Sequence, residues 1–179
     1  MELTVVAIRT TADDEVLVDL LSDEARRLLP DELFTDKDRY YGSLDSVSPG
    51  LRAMAGTYPF SVSMDMDDLA WHFSNHNDER HIRETLNGLR ELEMPQIADL
   101  FEKAWRILVP HLAELGPGRY RDRNFTQWAK ETGIQRQIDP MNDFIWAYCK
   151  QAGILGLLAS WSVYARKYPE RCVVTEAHP

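Results

Sequence analysis

Apolar residues recur at three- and four-residue intervals along most of the chain, the period of an amphipathic helix. The N-terminal run Leu3-Thr4-Val5-Val6-Ala7-Ile8 is continuous and rich in β-branched residues, which predicts a short strand or an extended arm. Thr11-Ala12-Asp13-Asp14 then reads as a helix start, with acids in the first turn where the helix dipole is positive. Val16, Leu17, Leu20, Leu21, Ala25, Leu28 and Leu29 keep helical spacing up to Pro30, whose ring ends the run.

Asp31 to Pro49 is polar and reads as turns, after which Ser48-Pro49 starts a short helix over 51–58, closed by Gly56 and Pro59. Asp65 or Asp67 caps the next helix, on which Met66, Leu69 and Phe73 share a face. Asn75-His76-Asn77-Asp78 is a turn, and Ile82, Leu86, Leu89 and Leu92 form the stripe of a helix over 79–92. A further helix runs from Pro95 to Leu115, with Pro110 kinking or ending it. Phe125 to Thr132 predicts a short helix around Trp128, closed by Gly133 as a C-cap. Asp139-Pro140 starts the last helical section, Met141 to Lys150 and Ile154 to Tyr168, which Pro169 stops. Val173-Val174 is a second short strand or a frayed tail. The expected fold is all-α: one helical domain over 1–179, with an acidic part at 1–57.

Charge sharpens this outline. Residues 1–68 hold 15 acids against 6 bases, while residues 69–179 hold 14 of each, so the first third carries the whole net charge of −9. Such a surface repels DNA and anionic lipid and favours a basic partner. Asp13, Asp14, Glu15, Asp19, Asp23, Glu24, Asp31, Glu32, Asp36 and Asp38 are the expected partner-binding residues. Arg26, Arg27, Lys37 and Arg39 offset some of them locally. No apolar run approaches the roughly 18 residues of a membrane span. The N-terminus has no basic leader, and Cys149 and Cys172 form no CxxC pair, so free thiols in a cytoplasmic protein are expected.

Catalytic patterns are sparse, with no GxSxG and no glycine-rich phosphate loop. Asp68, His72 and His76 are spaced i, i+4, i+8 and would line one helix face, a spacing at which two imidazoles and a carboxylate can share a metal. HExxH is absent, so a metal-dependent hydrolase stays an alternative, and no cofactor is expected. Asp65, Asp67 and Asp68 lack the spacing of a calcium loop. Arg119, Arg121 and Arg123 beside Tyr120 are too few for a nucleic-acid footprint.

Several segments carry a resemblance. Leu69-Ala70-Trp71-His72-Phe73-Ser74-Asn75, then Glu84 to Pro95, Ile138 to Phe144 and Tyr164 to Pro169, resemble a widespread bacterial domain of unknown function. The likeness covers residues 58–171. Phe73, Asn75 and Pro95 match the family's pattern, whereas its Gly-Gly becomes Asp67-Asp68, its Gln becomes Trp71 and its turn glycine becomes Glu93. The resemblance implies an all-helical fold. The family includes an acidic, dimeric DNA mimic, which implies a non-enzymatic protein binding a basic or DNA-binding partner, with a homodimer as one assembly. A toxin-neutralising protein is the other interaction reading. Asn75 is expected to close the chain by bonding backbone two or three residues on.

Overall fold

A computed structural model describes residues 3–30, 36–111, 128 and 130–174. Among them the fold is all helix and contains no strand. The helices are α1 Val5–Thr10, α2 Asp14–Leu28, α3 Lys37–Asp45, α4 Pro49–Met66, α5 Leu69–Asn75, α6 Glu79–Glu91, α7 Pro95–Leu108, α8 Ile134–Ala152 and α9 Ala159–Lys167, with 3₁₀ turns at Val109–His111, Gly153–Leu158 and Pro169–Arg171. None is long and apolar enough to cross a membrane.

The starts are set by side-chain caps. Asp13 accepts from the Glu15 and Val16 amides at 2.8 and 3.1 Å, Asp36 from Arg39 at 3.2 Å, Asp68 from Trp71 at 2.8 Å and Asp78 from His81 at 3.1 Å. So Asp13, not Thr11, caps α2, and Asp68, not Asp65 or Asp67, caps α5.

The expected N-terminal strand or arm is a helix instead. Thr4 caps α1 by accepting from the Ala7 amide at 3.1 Å, and Ile8 is buried. β-Branched composition loses here to the cap and to burial of one face. Arg166 on α9 then ties the α1–α2 junction down, donating to the Thr11 and Ala12 carbonyls at 2.7 and 3.0 Å.

Helix α4 corrects a second expectation, since it runs through Gly56 and Pro59 to Met66. Glycine serves contact here. A Cβ on Gly56 would lie 3.0 Å from the Glu84 carbonyl oxygen, and one on Gly88 would lie 2.7 Å from that of Ala53. Facing glycines let α4 and α6 pack backbone to backbone, and Thr85 Oγ1 donates to the Gly56 carbonyl at 2.8 Å. Pro140 likewise sits inside α8, which starts six residues before it. Met66 closes α4 and is exposed, so it does not share the buried face of Leu69 and Phe73. Residues 173–174 form no strand. Pro110 stands in the 3₁₀ turn after α7, and the expected continuation to Leu115 lies outside the described residues, as do Arg119 to Arg123.

One large core unites α1, α2 and α4 to α9 around Phe60, Phe73, Phe101 and Trp161. Phe101 contacts Phe60 and Phe73 at centroid distances of 4.9 and 4.8 Å, edge-on to the first. Helix α3, in a stretch the composition reads as turns, stays outside that core. Its Tyr40, Tyr41 and Leu44 make a separate small cluster with Leu29.

Candidate functional site

Two features of the surface and its first layer carry chemistry: a carboxylate face on α2 and a histidine stack under α3.

Helix α2 buries Leu17, Val18, Leu21 and Ala25 against the core. That fixes the opposite side outward, and Glu15, Asp19 and Asp23, four residues apart, stand along it in solvent. Asp13 and Asp14 extend the row at the N-terminal end and are exposed too. Asp14 is partly answered by Arg166 at 2.7 Å, and Asp23 lies 3.9 Å from Arg26 with both side chains largely in water. Glu15 and Asp19 make no ion pair among the described residues.

Glu24 differs from its neighbours. Its side chain is 1% exposed and takes a two-pronged pair from Arg27 at 2.7 and 2.9 Å. That pairing outweighs burial and holds its carboxyl below the usual range. Glu24 therefore faces inward and presents nothing to a partner. Asp36 and Asp38 are exposed at the start of α3. Asp31 and Glu32 lie outside the described residues.

The expected metal set is not assembled. Asp68 is spent on the Trp71 amide and on Gln135 Nε2 at 2.9 Å, while His72 points into the core with its ring against that of His76. No group of three His, Cys, Asp or Glu among the described residues is placed to hold a metal ion. Cys149 and Cys172 are free thiols.

The histidines instead join a third that spacing did not indicate. His72 lies 5.0 Å from His76 and 6.0 Å from His81 between ring centroids, and His76 stacks on His81 at 5.0 Å. The His72 tautomer follows from its partner. Ser63 Oγ donates its one proton to the Pro59 carbonyl at 2.7 Å, so it accepts from His72 Nδ1 at 2.9 Å. Nε2 of His72 is thereby left as a bare lone pair on a fully buried ring, and Nε2 of His81 is buried without a hydrogen-bond partner as well. Burial, with the neighbouring histidines, holds His72 well below the usual imidazole range. Burial and Lys37 lower His76, and burial with His76 brings His81 down to about 4. All three rings are neutral near pH 7.

Helix α3 closes over this stack. Its Tyr41 hydroxyl donates to Asp78 at 3.1 Å, and Lys37 reaches the other Asp78 oxygen at 3.4 Å. Burial works against the Asp78 charge, but the His81 amide, Tyr41 and Lys37 outweigh it and keep its pKa low. Arg80 lies 4.8 Å over the Tyr41 ring and pairs with Asp45 at 2.7 Å. A cavity of about 290 Å³ remains between α3 and the turn before α6, lined by Lys37, Tyr40, Tyr41, His76, Asp78 and His81 among others.

Phe73 and Pro95 have structural places. Phe73 is fully buried against Phe101 and Trp105, and Pro95 opens α7. Asn75 departs from expectation, because its amide donates back to the Trp71 carbonyl at 2.9 Å and so finishes α5 from within. Glu93 stands at φ 58°, the left-handed position that ends α6, with the Met94 amide closing on the Leu89 carbonyl at 2.9 Å. A glycine suits that backbone better than any other residue. Here the glutamate is held by Lys167 and Tyr168, each at 2.7 Å.

A family model described as DMP19-like protein matches residues 45–167. No curated protein and no solved structure matches the chain.

Proposed function

The chain belongs to the DMP19-like protein family, and from that premise and the α2 carboxylates we propose that it is a non-enzymatic interaction protein whose acidic face binds a DNA-binding protein in place of DNA. The observation that carries this reading is the outward row Glu15, Asp19 and Asp23. Four helical residues rise about 6 Å, so the row sets single negative charges at even steps along a straight edge, as a phosphate backbone does. Asp13, Asp14, Asp36 and Asp38 widen the field. An edge of this kind speeds association with a basic groove and weakens with salt.

The test replaces Glu15→Gln, Asp19→Asn and Asp23→Asn together, all at exposed positions, so helix content is expected to stay unchanged by circular dichroism. Pull-down from native lysate at low and high salt identifies the basic protein held by the wild type. Binding of that purified protein is expected to fall about tenfold or more in the triple variant at low salt. Unchanged affinity would overturn the assignment of the face.

A further inference from the structure

We propose that the His72–His76–His81 stack is a proton-operated latch for α3: on acidification the rings charge, repel one another and Lys37, and release α3 from its seat on Asp78 and Arg80, moving Asp36 and Asp38 with it.

The three rings are in contact, and two of them hold a buried Nε2 with no hydrogen-bond partner, one of these a lone pair fixed by the Ser63 bond. Each is a site that gains by taking a proton only if the surroundings open. Asp78 favours a charge on His81, but burial outweighs it. Helix α3 supplies Lys37 and α6 supplies Asp78, whose oxygens already accept from Tyr41, the His81 amide and Lys37. Helices α4 and α7 meet the rings with Phe60, Ser63 and Phe101, which carry no charge. Tyr40 and Tyr41 also face the cavity and stay neutral, the pKa of the first raised by burial and Glu84, that of the second by burial and Asp78.

The yielding element is α3 because of how it is held. Helices α4 and α7 stand in the main core, whereas α3 rests on the small cluster of Tyr40, Tyr41 and Leu44 and on polar bonds to Asp78, Arg80 and, through Asp45, to Arg52 of α4 at 3.0 Å. Elements with few buried apolar contacts open at lowest cost. The cavity under α3 already separates it from His76 and His81, so opening breaks a short list of contacts.

The sign follows from the lowered imidazoles. The open form binds more protons than the closed one between the usual value of 6.5 and about 4, so acid favours opening across that window. The test follows the histidine side chains by NMR from neutral pH down to about 4, with amide exchange read in parallel. His76 and His81 are expected to stay neutral below 6.5, then to titrate together with loss of protection at Arg39 to Leu44, while Phe60 and Phe101 amides stay protected. Titration at the ordinary value with α3 unmoved would overturn the latch. So would α3 loosening without histidine titration, or the core amides exchanging in the same step. His81→Phe keeps the ring and removes its proton site, and it is expected to move α3 release to lower pH. Release at the wild-type pH in that variant also rejects the latch, and the wild-type titration stands on its own if the variant does not fold.

Discussion

At the scale of single residues, contact space decides more than residue type. Gly88 faces the Ala53 carbonyl oxygen so closely that an added Cβ would sit 2.7 Å from it. That neighbour is helix backbone and cannot turn aside. Gly88→Ala is therefore expected to destabilise by about 1–3 kcal/mol, although alanine is the better helix former, and a lowered thermal midpoint checks it. Phe73→Ala empties a fully buried site beside Phe101 and is expected to cost about 3–5 kcal/mol in denaturant unfolding. Both histidine and glycine roles were only half legible. The i, i+4 relation of His72 and His76 stood in the sequence, but His81 follows a turn and joins them only because Asp78 caps α6 and brings that first turn back over α5. The spacing suggested a metal, and the Ser63 and Gln135 bonds direct the same side chains elsewhere.

At the scale of elements, α6 was readable end to end, because its stripe of Ile82 and Leu89 is regular and Asp78 marks its start. Helix α4 was not, because Gly56 and Pro59 are breakers by composition. In place they do no such damage: Gly56 admits α6, and Pro59 forgoes a single helical bond to Ala55 within a helix of 18 residues. The helix α3 was hidden for another reason, since Gly42, Ser43 and Asp45 are poor helix formers and only the tertiary clasp holds them. Polar clamps link these elements. Glu84, 5% exposed, joins α6 to α4 by a bidentate pair with Arg52 at 2.8 and 2.9 Å. Glu84→Gln is expected to cost about 1–3 kcal/mol in chemical denaturation, the arginines being a third exposed and so partly screened. The histidine stack adds a pH dependence. Lowered imidazoles bind fewer protons in the folded chain than in the unfolded one, so their contribution is complete above 6.5 and is lost progressively down to about 4. Denaturation midpoints are expected to fall through that window, and a flat profile would contradict it.

At the scale of the whole molecule, charge asymmetry and fold class were legible from the first third of the chain and from the helical period. What composition did not contain is orientation. It counted Glu24 with Asp23, yet one is buried on Arg27 and the other stands in water. The useful quantity is the row that survives such sorting, Glu15, Asp19 and Asp23 with Asp13 and Asp14, on a helix anchored by Leu17 and Leu21. Burial on one side is what makes the other side a straight charged edge. The measurement that tests this most directly is competition. The basic protein captured at low salt is titrated with duplex DNA while its complex with the wild-type chain is followed. DNA is expected to displace the chain, and to displace the triple variant Glu15→Gln, Asp19→Asn, Asp23→Asn at lower concentration. A complex that persists at saturating DNA, or a variant that resists displacement as the wild type does, would contradict it.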